Sequence, residues 1–473
     1  MERCDICYII SLGFSARMIL HTNLICELKN AGLKNIALIL PGKDDGAFRK
    51  YEETLGIKVY YADIKNTFWS NEYLNFRKYL YEDVRNNPAL MAKHIKSIEE
   101  YHGYNPWRKV KPYIYAGVNF IMTKLKFLRG MFEFFEGFIL SNKKLKKLIK
   151  EINPRIVVST YPVNYLEGSG IRVSQKAGIA TVTQLLSWDN ITCKGRFPAI
   201  PDYFISWGDI MSEELKEYYN ADSSNIFTTG VPHFDKSREL VNPEKRKKYI
   251  TSLGLDPKKP YLFFGMSSPY FSPREIDVVE RLSDLVSRDI FGEDMQLIIR
   301  PHPQNVQGEM SDESWLPRLE KIKSSRVGID YPIIEKSNLP WNMNEEDLEK
   351  LANLISGCTI LLNSGSTISI EGLIHEKPVI LTLFDGDANI RDHNSVRRLR
   401  NYNHMRKIIN TRGLKVVYHY EELKKAIIKY LEHPETNKKE RETALEKECG
   451  KIDGKSTYRI AMAFKQISET AGS

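Results

Sequence analysis

The stretch Thr359 to Leu383, TILLNSGSTISIEGLIHEKPVILTL, constrains the fold most. It reads as an apolar run (Ile360 to Leu362), a polar turn (Asn363, Ser364, Gly365), a helix entry (Ser366, Thr367) and a short helix. That helix ends before Lys377-Pro378, and a second apolar run follows (Val379 to Leu383). Two buried strands joined by a helix make a βαβ unit, which calls for a parallel sheet covered on both faces. The helix entry also has chemical character. A helix start exposes unpaired backbone N–H groups and the positive end of the helix dipole, so a small hydroxyl-rich turn there suits a phosphate. Glu371, one turn beyond Thr367, is spaced to accept hydrogen bonds from a ribose. The alternative is an ordinary connection with a Ser/Thr cap.

The same rhythm runs through both halves of the chain. The first forty residues read strand (Cys7 to Ile10), loop, helix (Ala16 to Asn30), strand (Ile36 to Leu40), with Pro41-Gly42 as a stop. The first loop has one glycine, Gly13, so a GxGxxG dinucleotide fingerprint is absent. After Pro154 come strands at Ile156 to Ser159, Ala180 to Leu186, Tyr203 to Ser206 and Ile226 to Thr229, and Gly230-Val231-Pro232-His233-Phe234-Asp235 suits a domain boundary. The second half opens afresh with strands Tyr261 to Met266 and Gln296 to Ile299, then Val327 to Tyr331, the stretch above, and Lys415 to Tyr418. The reading is α/β, with two Rossmann-like domains facing across a cleft. Residues 1–235 form an N-terminal domain with a helical insertion over about 65–150, residues 236–435 a C-terminal domain, and residues 436–473 terminal helices that can pack back on the first domain.

The insertion is rich in aromatic residues and lysine. From Tyr113 to Phe138, apolar residues recur at helical spacing with Lys124, Lys126 and Arg129 between them. Such a stripe can rest on a membrane or hold a lipid-linked acceptor, but burial in the domain is the commoner fate, and core is the expectation here.

Composition narrows the function classes. At 473 residues and 42% hydrophobic content the chain can bury two cores. Its formal charge of +9 suits an anionic ligand or membrane surface without requiring nucleic acid. The N-terminus lacks the pattern of a secretory signal and no apolar run approaches the ~20 residues of a membrane span, so a cytoplasmic protein is expected, at most lying on the inner face of the cell membrane. Cys4 and Cys7, three apart on a strand edge, should point to opposite faces and serve packing rather than redox chemistry. The His and Cys spacings match no metal-site pattern, and no metal or other cofactor is expected.

In open α/β sheets, ligands bind beyond the carboxyl ends of the strands. Three second-half strands end there in polar loops: Ser267-Ser268, Arg300-Pro301-His302-Pro303, and Ser364 to Thr367. Arg300 and His302 bring donors, and the turn brings amides and hydroxyls. Together they make a metal-independent pocket for a pyrophosphate or phosphodiester leaving group.

With these motifs the chain resembles the bacterial surface-polysaccharide transferases of GT-B fold, a group including capsule and lipopolysaccharide transferases, CDP-glycerol glycerophosphotransferases and HP-motif sialyltransferases. The resemblance rests on Arg300-Pro301-His302-Pro303, on Ser366-Thr367 to Glu371 followed by Lys377-Pro378, and on Gly230 to Asp235. It implies that His302, Ser366 and Thr367 contact donor phosphate and that Glu371 holds the ribose; Arg300, Ser268 and Ser364 are donor-site candidates from the loops they occupy. It implies a nucleotide-sugar-dependent, inverting transferase acting on a glycan or lipid-linked glycan, with possible peripheral contact with a membrane.

An inverting enzyme needs a base for the attacking hydroxyl. Asp189, in the loop Ser187 to Gly195, is the first candidate and His233 the second, although Asp189 capping its own turn is equally open. Arg17, after Gly13-Phe14-Ser15-Ala16, can bind an anionic acceptor or donor group, or form a salt bridge within the domain. Three competing readings are a CDP-polyol phosphotransferase of teichoic-acid type, an enzyme like the UDP-N-acetylglucosamine 2-epimerases, and a non-enzymatic glycan-binding scaffold.

Overall fold

The short apolar runs of the first half become seven strands: β1 (Cys4–Ile9), β2 (Ile36–Pro41), β3 (Lys58–Ala62), β4 (Pro154–Ser159), β5 (Ala180–Gln184), β6 (Tyr203–Ser206) and β7 (Ile226–Thr228). Those of the second half become six: β8 (Tyr261–Gly265), β9 (Gln296–Arg300), β10 (Val327–Ile329), β11 (Ile360–Asn363), β12 (Val379–Thr382) and β13 (Lys415–Val417). These elements come from a computed structural model that describes residues 3–64, 67–100, 106–306 and 311–470.

The first sheet has the order β3-β2-β1-β4-β5-β6-β7 and the second β10-β9-β8-β11-β12-β13, and every pairing is parallel. In each, strand order reverses once, between β1 and β4 and between β8 and β11. That reversal opens a crevice at the carboxyl edge, where ligands of doubly wound sheets bind. Continuous burial of β8, β9 and β11 follows from helices on both faces.

The chain divides into two units. One comprises Met1–His233, Lys336–Asn342 and Cys449–Ser473, the other Phe234–Glu335 and Met343–Glu448. The division at His233 falls inside a helix, Pro232–Glu239, so the Gly-Pro segment enters a helix rather than staying an open link. In the first unit, Ile460, Phe464 and Ile467 of the last helix (Ser456–Thr470) join the core of Ile6, Tyr8 and Leu38. The preceding helix, Lys438–Cys449, lies almost wholly in the second unit, so the terminal helices divide between the two.

Residues 336–342 leave the second half to pack in the first unit. Leu339 enters its core, and the Pro340 carbonyl accepts from the Gly13 N–H at 2.9 Å. A Cβ on Gly13 would stand 2.4 Å from both the Trp341 carbonyl oxygen and the Asn342 Cα. Close backbone approach, and not a dinucleotide loop, is therefore what Gly13 serves.

The expected helix from Ala16 to Asn30 is two helices, Gly13–Leu20 and Leu24–Asn30. Between them the Thr22 hydroxyl bonds back to the Met18 carbonyl at 2.9 Å and accepts from the Leu24 N–H at 3.4 Å, which competes with helical pairing. Cys4 and Cys7 share one apolar cluster rather than opposite faces. Cys4 opens the strand, where its thiol bonds to the Ile6 carbonyl, and burial pushes it up to about 12.

Among the described residues the insertion forms five α-helices, Phe68–Tyr81, Pro88–Glu100, Pro106–Lys124, Arg129–Ile139 and Lys143–Ile152, with a 3-10 turn at Lys126–Leu128. Residues 65–66 and 101–105 of the expected insertion lie outside the described residues. The apolar stripe here is core only in part: Val118, Met122, Leu128 and Phe132 pack with Leu80 and Tyr81, while another face stays exposed. On Pro106–Lys124, Trp107, Val110, Ile114 and Ile121 share one exposed face, while Pro112, Asn119 and Met122 face inward. Phe127 is 78% exposed, and Met131, Phe135 and Ile139 continue the exposed surface on the next helix. Helical periodicity reports that a face is apolar, not what covers it. Among the described residues, no helix is long and apolar enough to cross a membrane.

Candidate functional site

The crevice of the second sheet is bordered by the loops after β8, β9 and β11. His302 follows β9 directly. Its Nδ1 accepts from the Gln304 N–H at 3.1 Å, which assigns the neutral-ring proton to Nε2. Burial, then the charge of Arg300, pushes its pKa down to about 4, so the ring is neutral at pH 7 and presents Nε2–H as a donor.

The turn after β11 is built by Asn363. Its Oδ1 accepts from the Gly365 N–H at 2.7 Å, the Ser366 N–H at 2.9 Å and the Ser369 hydroxyl at 3.0 Å. Gly365 takes φ +90°, open to glycine at little cost. Two of the amides expected to face a phosphate are thus turned inward to a side chain. Ser366 and Thr367, by contrast, are half-buried, and neither side chain hydrogen-bonds among the described residues. Glu371 is buried in the helix Ile368–Ile374 that follows.

Other residues read from these loops are fully engaged in structure. Arg300 donates from Nη1 to Asp330 at 2.5 Å and from Nη2 to both oxygens of Asp347 at 2.7 Å. Lys350 completes the cluster with a 2.6 Å pair to Asp330. The expectation that Arg300 binds donor phosphate is corrected accordingly: its two terminal nitrogens belong to a buried ion-pair network. Ser364 is buried with its hydroxyl 2.9 Å from that of Thr382, bridging the ends of β11 and β12. Ser268 accepts from the Tyr270 N–H at 3.3 Å and shapes its own turn.

Four buried polar atoms at this edge lack hydrogen-bond partners among the described residues: Glu275 Oε1, Gln304 Oε1, Asn305 Oδ1 and Asn363 Nδ2. Glu275 begins the helix after β8, and its Oε2 accepts from the Ser267 N–H at 2.6 Å. Burial raises its pKa to about 8, with the nearby Ser364 hydroxyl and the Ser267 amide opposing that rise. Buried polar groups are normally paired, so several unpaired ones at one sheet edge mark a place where a polar ligand or water completes them.

The crevice of the first sheet is closed differently. Glu167 spans it, accepting from the Ser11 N–H after β1 at 3.0 Å and from the Thr160 and Tyr161 N–H groups after β4 at 2.6 Å each. Its carboxylate occupies the position where a ligand's anionic group would sit. Neither Glu167 nor Glu275 is betrayed by a sequence motif; each is a lone acid in a helix that follows a strand.

Of the remaining candidates, Arg17 is buried on the first helix and lies near His233. Burial and then Arg17 hold His233 well below the usual imidazole range, and its ring packs edge-on to Trp207 with centroids 6.5 Å apart. So low a basicity suits a general base poorly. Asp189 does not cap the helix Asn190–Cys193 through its side chain; it pairs with Lys194 at 2.9 Å.

No protein-family model matches the chain, and no curated protein sequence matches it. Solved structures do. The UDP-GlcNAc 2-epimerase from Neisseria meningitidis, bound to UDP-GlcNAc, aligns with a TM-score of 0.55 at 11% identity over 98% of this chain and 99% of that one. The UDP-GlcNAc 2-epimerase from Methanocaldococcus jannaschii gives 0.54 at 12% identity over 98% and 100%. A glycosyltransferase from Rickettsia africae ESF-5 gives 0.50 at 13% identity over 99% of each chain. The likeness spans the chain and is one of fold: two parallel-sheet α/β domains of the GT-B-like kind.

Proposed function

We propose that the chain processes a nucleotide-activated sugar and transfers the sugar to a growing cell-surface glycan. One observation carries the first part. The crevice between β8 and β11 combines the unbonded Ser366 and Thr367 hydroxyls and the His302 Nε2–H with unpaired buried polar atoms, whereas Glu167 fills the equivalent crevice of the other sheet. In this reading the donor diphosphate lies against Ser366, Thr367 and His302, and Glu371 meets the ribose. The developing negative charge on the leaving group is met by hydrogen bonds from protein groups rather than by Arg300. An anion beside His302 raises its pKa toward the charged form, which strengthens that contact. Asp189 remains the proposed base for an inverting, metal-independent transfer. Support comes from the GT-B-like fold and from neighbours solved with UDP-GlcNAc.

A second reading, epimerisation of a nucleotide sugar, is favoured by the number of 2-epimerases among the structural neighbours. The two differ in their need for an acceptor. Incubation with UDP-GlcNAc in D2O separates them: deuterium entering at sugar C2 without any acceptor identifies an epimerase and defeats the transferase reading, while nucleotide release that requires added glycan supports it.

The acceptor would be met at a membrane surface. The exposed apolar face of the insertion is accompanied by Arg108, Lys109, Lys124, Lys126 and Arg129 against Glu133, a pattern suited to an anionic bilayer. Co-sedimentation with phosphatidylglycerol-containing vesicles should therefore exceed that with neutral ones. Changing Phe127 and Phe135 together to Glu should weaken it at least about tenfold. Equal binding to both vesicle types would count against the reading.

A further inference from the structure

Three lysines from three elements converge on the loop after β5. Lys194 lies in the loop and pairs with Asp189, the two side chains being 23% and 21% exposed. Lys93, on the helix Pro88–Glu100, donates from Nζ to the Cys193 carbonyl at 2.7 Å. Lys78, on the helix Phe68–Tyr81, lays its stem against Gly195, where a Cβ would stand 3.0 Å from its Cγ. Gly195 takes φ +85°, so backbone conformation and crowding both favour glycine beside that stem.

The charges in this recess do not balance. Three lysines share the loop's surroundings with one carboxylate, Asp189, which pairs with Lys194, and among the described residues Lys78 meets no acidic partner. The like charges are felt. Burial, then Lys194, lowers Lys78, and burial, Lys194 and Lys78 together bring Lys93 down to about 7. Burial pulls Lys194 down as well, but Asp189 and then the Tyr161 hydroxyl outweigh it and hold the lysine above its usual range.

Bringing lysines together out of bulk water is costly unless an anion joins them. We propose that Lys78, Lys93 and Lys194 form a binding site for a phosphoryl dianion, whose negative charge would favour the ammonium form of all three. A loop at the carboxyl end of β5 is a position where parallel sheets take ligands. That the phosphoryl group belongs to the acceptor rests on the proposed transferase function; the anion site itself does not.

Competitive acetylation of the full-length protein, read lysine by lysine by mass spectrometry with and without inorganic phosphate, tests this. The expected result is protection of Lys78 and Lys93 by at least about fivefold, with exposed Lys146 unaffected. In a Lys78→Gln/Lys93→Gln double variant of unchanged circular dichroism, phosphate affinity should fall at least about tenfold, as expected when charge-assisted hydrogen bonds are lost. A merely structural cluster moves neither readout. Unchanged labelling of Lys78 and Lys93 under saturating phosphate, or unchanged affinity in the double variant, overturns the proposal. Failure of the donor reading would be distinct: UDP would then bind nowhere, while phosphate protection at these lysines would persist.

Discussion

Replacing Arg300 with methionine is expected to destabilise the second unit by about 3–5 kcal/mol, the usual cost of leaving buried charge without its partner. The guanidinium holds Asp330 and Asp347 at 2.5 and 2.7 Å, with all three side chains essentially buried. Asp347 also accepts the Ile333 N–H at 2.8 Å, so the cluster ties β9, the segment after β10 and the helix Glu345–Gly357 together. Removing the cation leaves two carboxylates with, among the described residues, Lys350 to balance them. Lysine at position 300 should recover only part of the loss, because it cannot reproduce the two-armed geometry. Urea unfolding followed by hydrogen exchange in β9 checks this; a loss below about 1 kcal/mol would return Arg300 to the list of ligand-binding residues.

Glu167→Ala should cost the first unit about 3 kcal/mol or more, since it strands three backbone donors, Ser11, Thr160 and Tyr161, each worth about 1–3 kcal/mol when buried and unpaired. Glutamine should be milder, keeping one acceptor oxygen but turning an NH2 toward donors. The effect should localise: amide exchange of these three residues should quicken before that of the strand interiors. If the alanine variant is as stable as the parent, the carboxylate does not close that crevice.

Much of the architecture was legible in short apolar runs separated by turn residues, because parallel strands buried on both faces leave that signature. Their carboxyl-edge loops were legible too, since Ser366, Thr367 and His302 sit at strand ends. Partners distant in sequence were not. Nothing around Arg300 announces Asp330 or Asp347, 30 and 47 residues on, so a donor at a strand end looked like a ligand contact. Asn363 looked like a turn residue, yet its side chain consumes two amides that seemed to await a phosphate. The stripe over residues 113–138 showed amphipathicity without showing its covering, and the return of residues 336–342 to the first unit leaves no local mark. The lysine recess was equally hidden, because Lys78, Lys93 and Lys194 come from separate elements.

The central claim is that the carboxyl edge of the second sheet takes a nucleotide-activated sugar. Calorimetric titration of UDP-, GDP-, CDP- and CMP-activated sugars into the parent chain and a folded His302→Ala variant tests it most directly. The account predicts that one nucleotide class binds and that the variant loses about tenfold in affinity, the worth of one charge-assisted hydrogen bond. No binding of any donor, or equal affinity in the two proteins, would contradict it.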